Sequence, residues 1–440
     1  MSVFLKNSLA HKLLEQNFLL KNDECFVGEI PVISLARQYG TPLFIYDFDV
    51  VDRQYQDLRK TFPKKVSIFY SVKANSNQRF LKFFLSNDCG LEIASAGEFA
   101  QVLRSGCPPK NILFAGPGKT DFELEYVLVN GIGEIHAESI NEIRRIALIA
   151  SKLGEKAKVA LRVNPNEEAQ GGAMRMGGKP SQFGIDEEQI DEVLAFIQSQ
   201  ESIQFQGIHL FSGTQILDED ILMKQYKKAV AIGKRVFLKT GKALHTVDFG
   251  GGLGIPYFAG EGELNLPKLR ERLSKLFLEI NNDPAFSHTR FVVEPGRFLV
   301  GPAGIYIVQV LDIKRSRGKN YVIVNGGMNH HLAASGNLGQ VIRKNFPIVN
   351  FSQISAGDPA DLDVVGPLCT PLDTLGRRVR LPMPKIGDFI GILQSGAYAR
   401  TASPLGFLSH VTPPEVMVCK DKSELIRRTG TFDDLVHDQR

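Results

Sequence analysis

An α/β chain, organised as a (β/α)8 barrel followed by a C-terminal antiparallel β domain, is the fold class this sequence predicts. Three observations predict it. Between about residues 45 and 300, short β-rich runs alternate with loops and amphipathic, helix-like segments. The residues least suited to a core follow the ends of those runs. After about residue 300 the alternation stops and β-rich runs succeed one another without regular helices.

The runs are VSIFYS (66–71), GLEIA (90–94), NILFAG (111–116), GEIHAE (133–138), KVALRVN (158–164), FQGIHLF (205–211), HTVDFG (245–250) and RFVVEP (290–295). Alternation of this kind implies parallel strands joined by crossover helices. Several helix starts are written in the sequence. Ser95 with Glu98, Thr120 with Glu123 and Ser139 with Glu142 each fit the S/T-x-x-E capping box. Behind the last, Ile143, Ile146 and Ile149 recur at helical spacing. A doubly wound open sheet shares the alternation, but eight units are the count of a closed barrel. A barrel carries its chemistry on loops after strand C-termini, where Lys73, the stretch 209–215, Gly250–Gly252 and Glu294–Arg297 all stand. The expected division is an N-terminal segment, 1–44, packing with the β domain; the barrel, 45–300; and the β domain, 301–440.

The bulk numbers narrow the class. The 440 residues exceed one compact core, so two domains are expected. Hydrophobic content of 43% with 23% charged residues suits a globular protein. A formal net charge of +4, spread along the chain, argues against nucleic-acid or membrane-surface binding. No run of about eighteen apolar residues exists, and the first twenty are broken by His11, Lys12, Glu15 and Gln16. Neither a membrane span nor a signal peptide is expected. The odd, scattered cysteines (Cys25, Cys89, Cys107, Cys369, Cys419) fit reduced thiols and a cytoplasmic location.

Each motif has a bland reading. A lysine at a strand end is usually solvated. Three glycines in VDFGGGLG permit an ordinary turn, and EPGR suits a surface salt bridge. The glycines also let backbone N–H groups approach a phosphate. Neither G-x-x-x-x-G-K-[ST] nor G-x-G-x-x-G is present, so nucleotide readings lose ground. A glutamate closing the eighth strand is expensive to bury without a partner. Together, a lysine, a strand-end acid and phosphate-cradling glycines match the needs of pyridoxal 5'-phosphate. The amine forms a Schiff base, the acid keeps the pyridine nitrogen protonated, and the glycines hold the phosphate.

YSVKAN, DFGGGLG, EPGR and GAY occur in the order found in the barrel-type (fold type III) pyridoxal-phosphate decarboxylases, which the chain resembles from about residue 40 to 410. That family includes the diaminopimelate, ornithine and arginine decarboxylases. The resemblance implies that Lys73 carries the cofactor and that Gly250, Gly251 and Gly252 hold its phosphate. It implies that Glu294 pairs with the pyridinium, with Gly296, Arg297 and Tyr398 near the phosphate. It also implies a homodimer with shared active sites, one subunit supplying the lysine and the other the loop GPLCTPLD (366–373). Cys369 is then the proton donor to the decarboxylated carbon. A free thiol, with its pKa of about 8.5, is mostly protonated at neutral pH. Thr370, Asp373 and Arg297 fall at substrate positions. The family's cofactor-stacking histidine has two alignments here. One puts Phe211 at the histidine and Thr214 at the following serine; the other matches His209 and Ser212. Both stand, with His209 favoured on chemistry.

The substrate-reading positions depart from diaminopimelate decarboxylases. Thr370 and Pro371 follow the loop cysteine where those enzymes carry a glutamate. His330 and His331 stand where they have an arginine after G-M-N-D, and Arg343 is displaced. No third ligand of suitable spacing accompanies the two histidines, so no metal site is expected. A charge reader, once lost, leaves a charged substrate poorly held. The sequence around these positions resembles a sub-branch acting on amino acids tethered to an acyl carrier protein. A decarboxylase of a tethered substrate, such as a glutamyl group, is therefore expected. A diaminopimelate decarboxylase, an amino-acid racemase and a non-catalytic cofactor-binding protein are the alternatives. Cys369 speaks against the racemase, and the long β domain against the binding protein.

Overall fold

The computed structural model describes residues 8–166, 174–175, 180–211, 213–340, 342–355 and 358–440. The chain divides into two compact units. One comprises residues 56–254 and 263–296; the other comprises residues up to 55, 255–262 and 297–440.

The first unit is the barrel. Its strands are β1 Val66–Ser71, β2 Gly90–Ile93, β3 Ile112–Phe114, β4 Glu134–Ala137, β5 Ala157–Asn164, β6 Ile203–Leu210, β7 Thr246–Asp248 and β8 Arg290–Val293. Each pairs in parallel with the next, β4 pairs with β5, and β8 returns to β1. The ring is therefore closed, and the open-sheet alternative falls. The capping signals act as read. Ser95 Oγ accepts from Glu98 N and Ser139 Oγ from Glu142 N, while Thr120 and Glu123 form a reciprocal box. Ile143, Ile146 and Ile149 are the buried stripe of the helix Ile140–Leu153, which Gly154 ends in the left-handed conformation. Inside the barrel, Phe69 (β1), Leu113 (β3) and Val292 (β8) form an apolar cluster. The interior is not apolar throughout: Glu134, His136, His209 and Asp248 from β4, β6 and β7 are buried as well.

The second unit is built on a sheet ordered Thr374–Pro382, Pro359–Val365, Lys319–Val324, Gly304–Ser316, Leu43–Asp47, Glu415–Cys419, Lys422–Arg427. Most pairs are antiparallel, but Lys319–Val324 runs parallel to Pro359–Val365, and Leu43–Asp47 parallel to Glu415–Cys419. A strand from near the N-terminus enters the middle of this mixed sheet. Leu43–Asp47 is buried along its whole length and pairs antiparallel with Gly304–Ser316 on its other side. Its neighbours in the core include Leu13, Leu14, Leu35, Ile305 and Val416, so the early helices Leu9–Asn17 and Val32–Tyr39 share one apolar cluster with the later strands. No helix among the described residues is long and apolar enough to cross a membrane.

Candidate active site

In the barrel unit the sequence-derived residues converge at the C-terminal ends of the strands. β1 ends at Ser71 and passes into a single 3-10 turn, Val72–Ala74. Val72 and Ala74 anchor that turn by burial, leaving Lys73 with a 42% exposed side chain. Asn77 then caps the next helix. Lys73 Nζ lies 3.0 and 3.1 Å from the two carboxylate oxygens of Glu92, at the end of β2. Ser71 Oγ donates to the same carboxylate at 2.7 Å. Glu92 is fully buried, and burial pushes its carboxyl up against the opposing pull of Lys73.

Across the mouth, Glu294 closes β8 at 4% exposure. Its Oε2 lies 3.3 Å from His209 Nε2, and its Oε1 lies 3.9 Å from His136 Nδ1. Burial pushes the His209 imidazole down to about 4, so it is neutral at neutral pH. Burial would push the Glu294 carboxyl up, but the imidazoles and Lys73 hold it well below the usual carboxylate range. Only part of that pull survives at neutral pH, because a neutral His209 gives little. Asp248, beside them on β7, is pushed well up by burial and by the Glu294 charge, and is therefore the proton-bearing member of the carboxyl pair.

The glycine loop follows β7. Gly250 has φ +67, and a Cβ there would meet Leu210 O at 2.5 Å. Its N–H is already donated to Asp248 Oδ1 at 2.7 Å, which fixes the turn. Among the described residues, the Gly251 and Gly252 amides meet no acceptor. Gly296 packs on the lysine turn, its Cβ direction pointing at Ala74 and Ser71. Phe211 lies against Gly250 and Gly251, whereas His209 sits deeper, against Glu294. Thr214 belongs to a two-residue strand, Gly213–Thr214, paired with Met174–Arg175. Ser212 lies outside the described residues.

The remaining expected residues belong to the second unit. Arg297 Nη1 donates to Tyr257 Oη at 3.0 Å, and its guanidinium lies 4.7 Å from the Tyr398 ring centroid. In the loop 366–373, Cys369 is exposed and Asp373 is buried. Asp373 accepts from Met328 N at 2.7 Å and Leu368 N at 2.8 Å, so its carboxylate shapes the loop that presents the thiol. The Thr370 hydroxyl accepts from Leu372 N at 3.3 Å, inside its own loop. His330 lies between Tyr306 and the Val411 carbonyl, and His331 between Ala334 N and Ser395 Oγ. Both are buried histidines with hydrogen-bonding partners. Arg343 donates to the Thr374 carbonyl.

Three residues at the mouth were not singled out from the sequence: Glu92, His136 and Asp248. For His136 the period-2 polar alternation of Glu134, His136 and Glu138 was the available signal, and for Asp248 that of Thr246 and Asp248; Glu92, between Leu91 and Ile93, carried none.

A family model described as pyridoxal-dependent decarboxylase, pyridoxal binding domain, matches residues 48–301. The L-glutamyl-BtrI acyl-carrier protein decarboxylase of Niallia circulans is 38% identical over 416 residues, covering 94% of this chain and 97% of the relative. The diaminopimelate decarboxylase of Zymomonas mobilis is 32% identical over 435 residues, covering 96% and 98%. The crystal structure of diaminopimelate decarboxylase from Helicobacter pylori complexed with L-lysine superposes with a TM-score of 0.82 at 29% identity, covering 92% and 98%.

Proposed function

Because this chain belongs to the pyridoxal-dependent decarboxylase family, we infer that it releases carbon dioxide from an amino acid tethered to a carrier protein, such as a glutamyl group. The residues in the barrel mouth fit pyridoxal phosphate. Glu294 Oε1 and His209 Nδ1 are buried without a hydrogen-bond partner, beside a lysine and two uncommitted glycine amides. An acid kept ionised is the group a pyridinium needs, and N–H groups of a tight turn suit a phosphate.

Bound there, pyridoxal phosphate supplies the electron sink for loss of the carboxylate. The chain supplies the rest. Lys73 offers its amine, and Glu92 holds that amine in place and takes up its charge. Glu294 orients and holds the proton of the ring nitrogen, with Asp248 neutral behind it. The amides of Gly251 and Gly252 receive the phosphate. Arg297, clamped by Tyr257 and Tyr398, has the chemistry to bind an anion. Cys369 is the thiol that returns a proton to the carbon that lost carbon dioxide, and the loop carrying it acts from a second copy in a homodimer.

The observation that carries the tethered substrate is Thr370. It stands where a charge-reading glutamate is expected, and its hydroxyl is turned into its own loop. A tethered amino acid has no free far end to read. The carrier-linked relative has the same preference in its name. The test is carbon dioxide release from glutamyl carrier protein beside free diaminopimelate, ornithine, lysine and arginine. Turnover of the carrier-bound substrate alone is expected; robust turnover of free diaminopimelate would end the tethered reading in favour of lysine synthesis. A cytoplasmic location belongs to the same proposal, since its substrate would be made there.

A further inference from the structure

The barrel interior is divided. Phe69, Leu113 and Val292 fill one side. The other side holds a column of polar groups that begins at Arg290, at the N-terminal end of β8, and ends at Glu294. Arg290 Nη2 lies 3.2 Å from Glu134 Oε2 on β4. The hydroxyl of Thr246 on β7 donates to the same oxygen at 2.7 Å. The other oxygen of Glu134 lies 3.1 Å from His136 Nε2. Glu134 thus faces three donor groups, and despite its burial its carboxyl is held low by His136 and Arg290. An ionised carboxylate only accepts, so His136 Nε2 must donate to it.

That assignment leaves one ring atom. His136 Nδ1 is buried without a partner and lies 3.9 Å from Glu294 Oε1, which is also buried without a partner. Two orphaned polar atoms facing each other inside a barrel are not left idle without cost. An imidazole between two ionised carboxylates serves both only by donating from both nitrogens. The ring is also locked sideways, its centroid 4.5 Å from that of His209.

We propose that Glu134 and His136 form a positioning pair that orients Glu294 from its Oε1 side, opposite His209 on the Oε2 side, and holds it ionised for the cofactor's ring nitrogen. The proposal rests on the reading of Glu294 given above and adds the pair behind it. The column explains why charged and polar groups occupy an interior that branched apolar side chains usually fill. It also explains why Thr246 and Arg290, far from the mouth, converge on one carboxylate.

The test compares two ligands on the full-length protein: pyridoxal phosphate and its 1-deaza analogue, which lacks the ring nitrogen. Dissociation constants are measured by equilibrium dialysis for the wild type, His136→Asn and Glu134→Gln. The expected result is a loss of about tenfold or more in affinity for pyridoxal phosphate in both variants, the worth of a charge-assisted hydrogen bond. Affinity for the deaza analogue should be unchanged. An equal loss for both ligands means a merely structural role and overturns the proposal; so does no loss for either. If His136→Asn does not fold, the isosteric Glu134→Gln decides alone. Should the wild type bind the two ligands equally, the reading of Glu294 itself fails. A failure of the substrate assay leaves this comparison untouched, since no turnover is measured.

Discussion

His331 makes the acid limb of stability a test of the second unit's core. It is fully buried, and burial pushes its imidazole down to about 3 from an ordinary 6.5. The hydrogen bonds give an independent reason. Ala334 N donates to Nδ1 at 3.2 Å, so Nδ1 is an acceptor, and Nε2 donates to Ser395 Oγ at 3.0 Å. A proton on Nδ1 would set one N–H against another in a dry site. The folded chain therefore refuses the proton that the unfolded chain takes below about pH 6.5. This contribution to stability is complete above that pH and is lost as pH falls from 6.5 toward 3. One proton is worth 1.36 kcal/mol per pH unit, so about 2 kcal/mol is lost by about pH 5. The perturbation is His331→Gln, which keeps an acceptor and a donor but cannot titrate. Urea unfolding of both proteins at pH 7.5 and 5 gives the comparison. The wild type should lose about 2 kcal/mol more than the variant over that interval. Parallel losses in the two proteins would refute the reasoning.

Three further outcomes are expected. Lys73→Ala should abolish the visible absorbance of the bound cofactor and its trapping by borohydride, while far-ultraviolet circular dichroism stays unchanged. Gly250→Ala forces a left-handed conformation on an L-residue and drives a Cβ into Leu210 O. It should cost about 2 kcal/mol or more in thermal or urea unfolding and weaken cofactor binding, and a wild-type melting curve would contradict the geometry. Cys369→Ser replaces a thiol by a much weaker acid at an exposed loop position. Turnover should fall about 100-fold or more with cofactor affinity unchanged, and retained turnover would remove Cys369 from the proton step.

What was legible in the sequence was local. The eight strands follow from short apolar runs, and the helices from caps that Ser95, Thr120 and Ser139 provide within one turn. Lys73 and Glu294 stood out because each breaks the pattern at a strand end. What escaped was non-local. Alternation says that Glu134 and His136 share a face, but not that Thr246, Arg290 and Glu294 meet them from strands more than a hundred residues away. His330 and His331 had no role in the sequence reading until the fold brought Tyr306 and Ser395 to them. Residues 1–44 were expected to pack with the β domain, but which strands would flank Leu43–Asp47 was not legible, because strand pairing depends on the register of distant segments rather than on composition.

The place of Leu43–Asp47 has a consequence for how the chain is made. Its five residues are buried, and one flank is covered by Glu415–Cys419. Ribosomes add about 5–20 residues per second, so that partner follows roughly 20–70 s later. In the meantime all eight barrel strands have left the exit tunnel, and the barrel can close. An apolar strand must meanwhile wait with an unpaired edge, the kind of surface that seeds intermolecular pairing. The nascent chain is thus most exposed to aggregation after its catalytic half is complete. A holdase that covers Leu43–Asp47 until the last hairpin arrives would raise the yield of native enzyme more than any help given to the barrel.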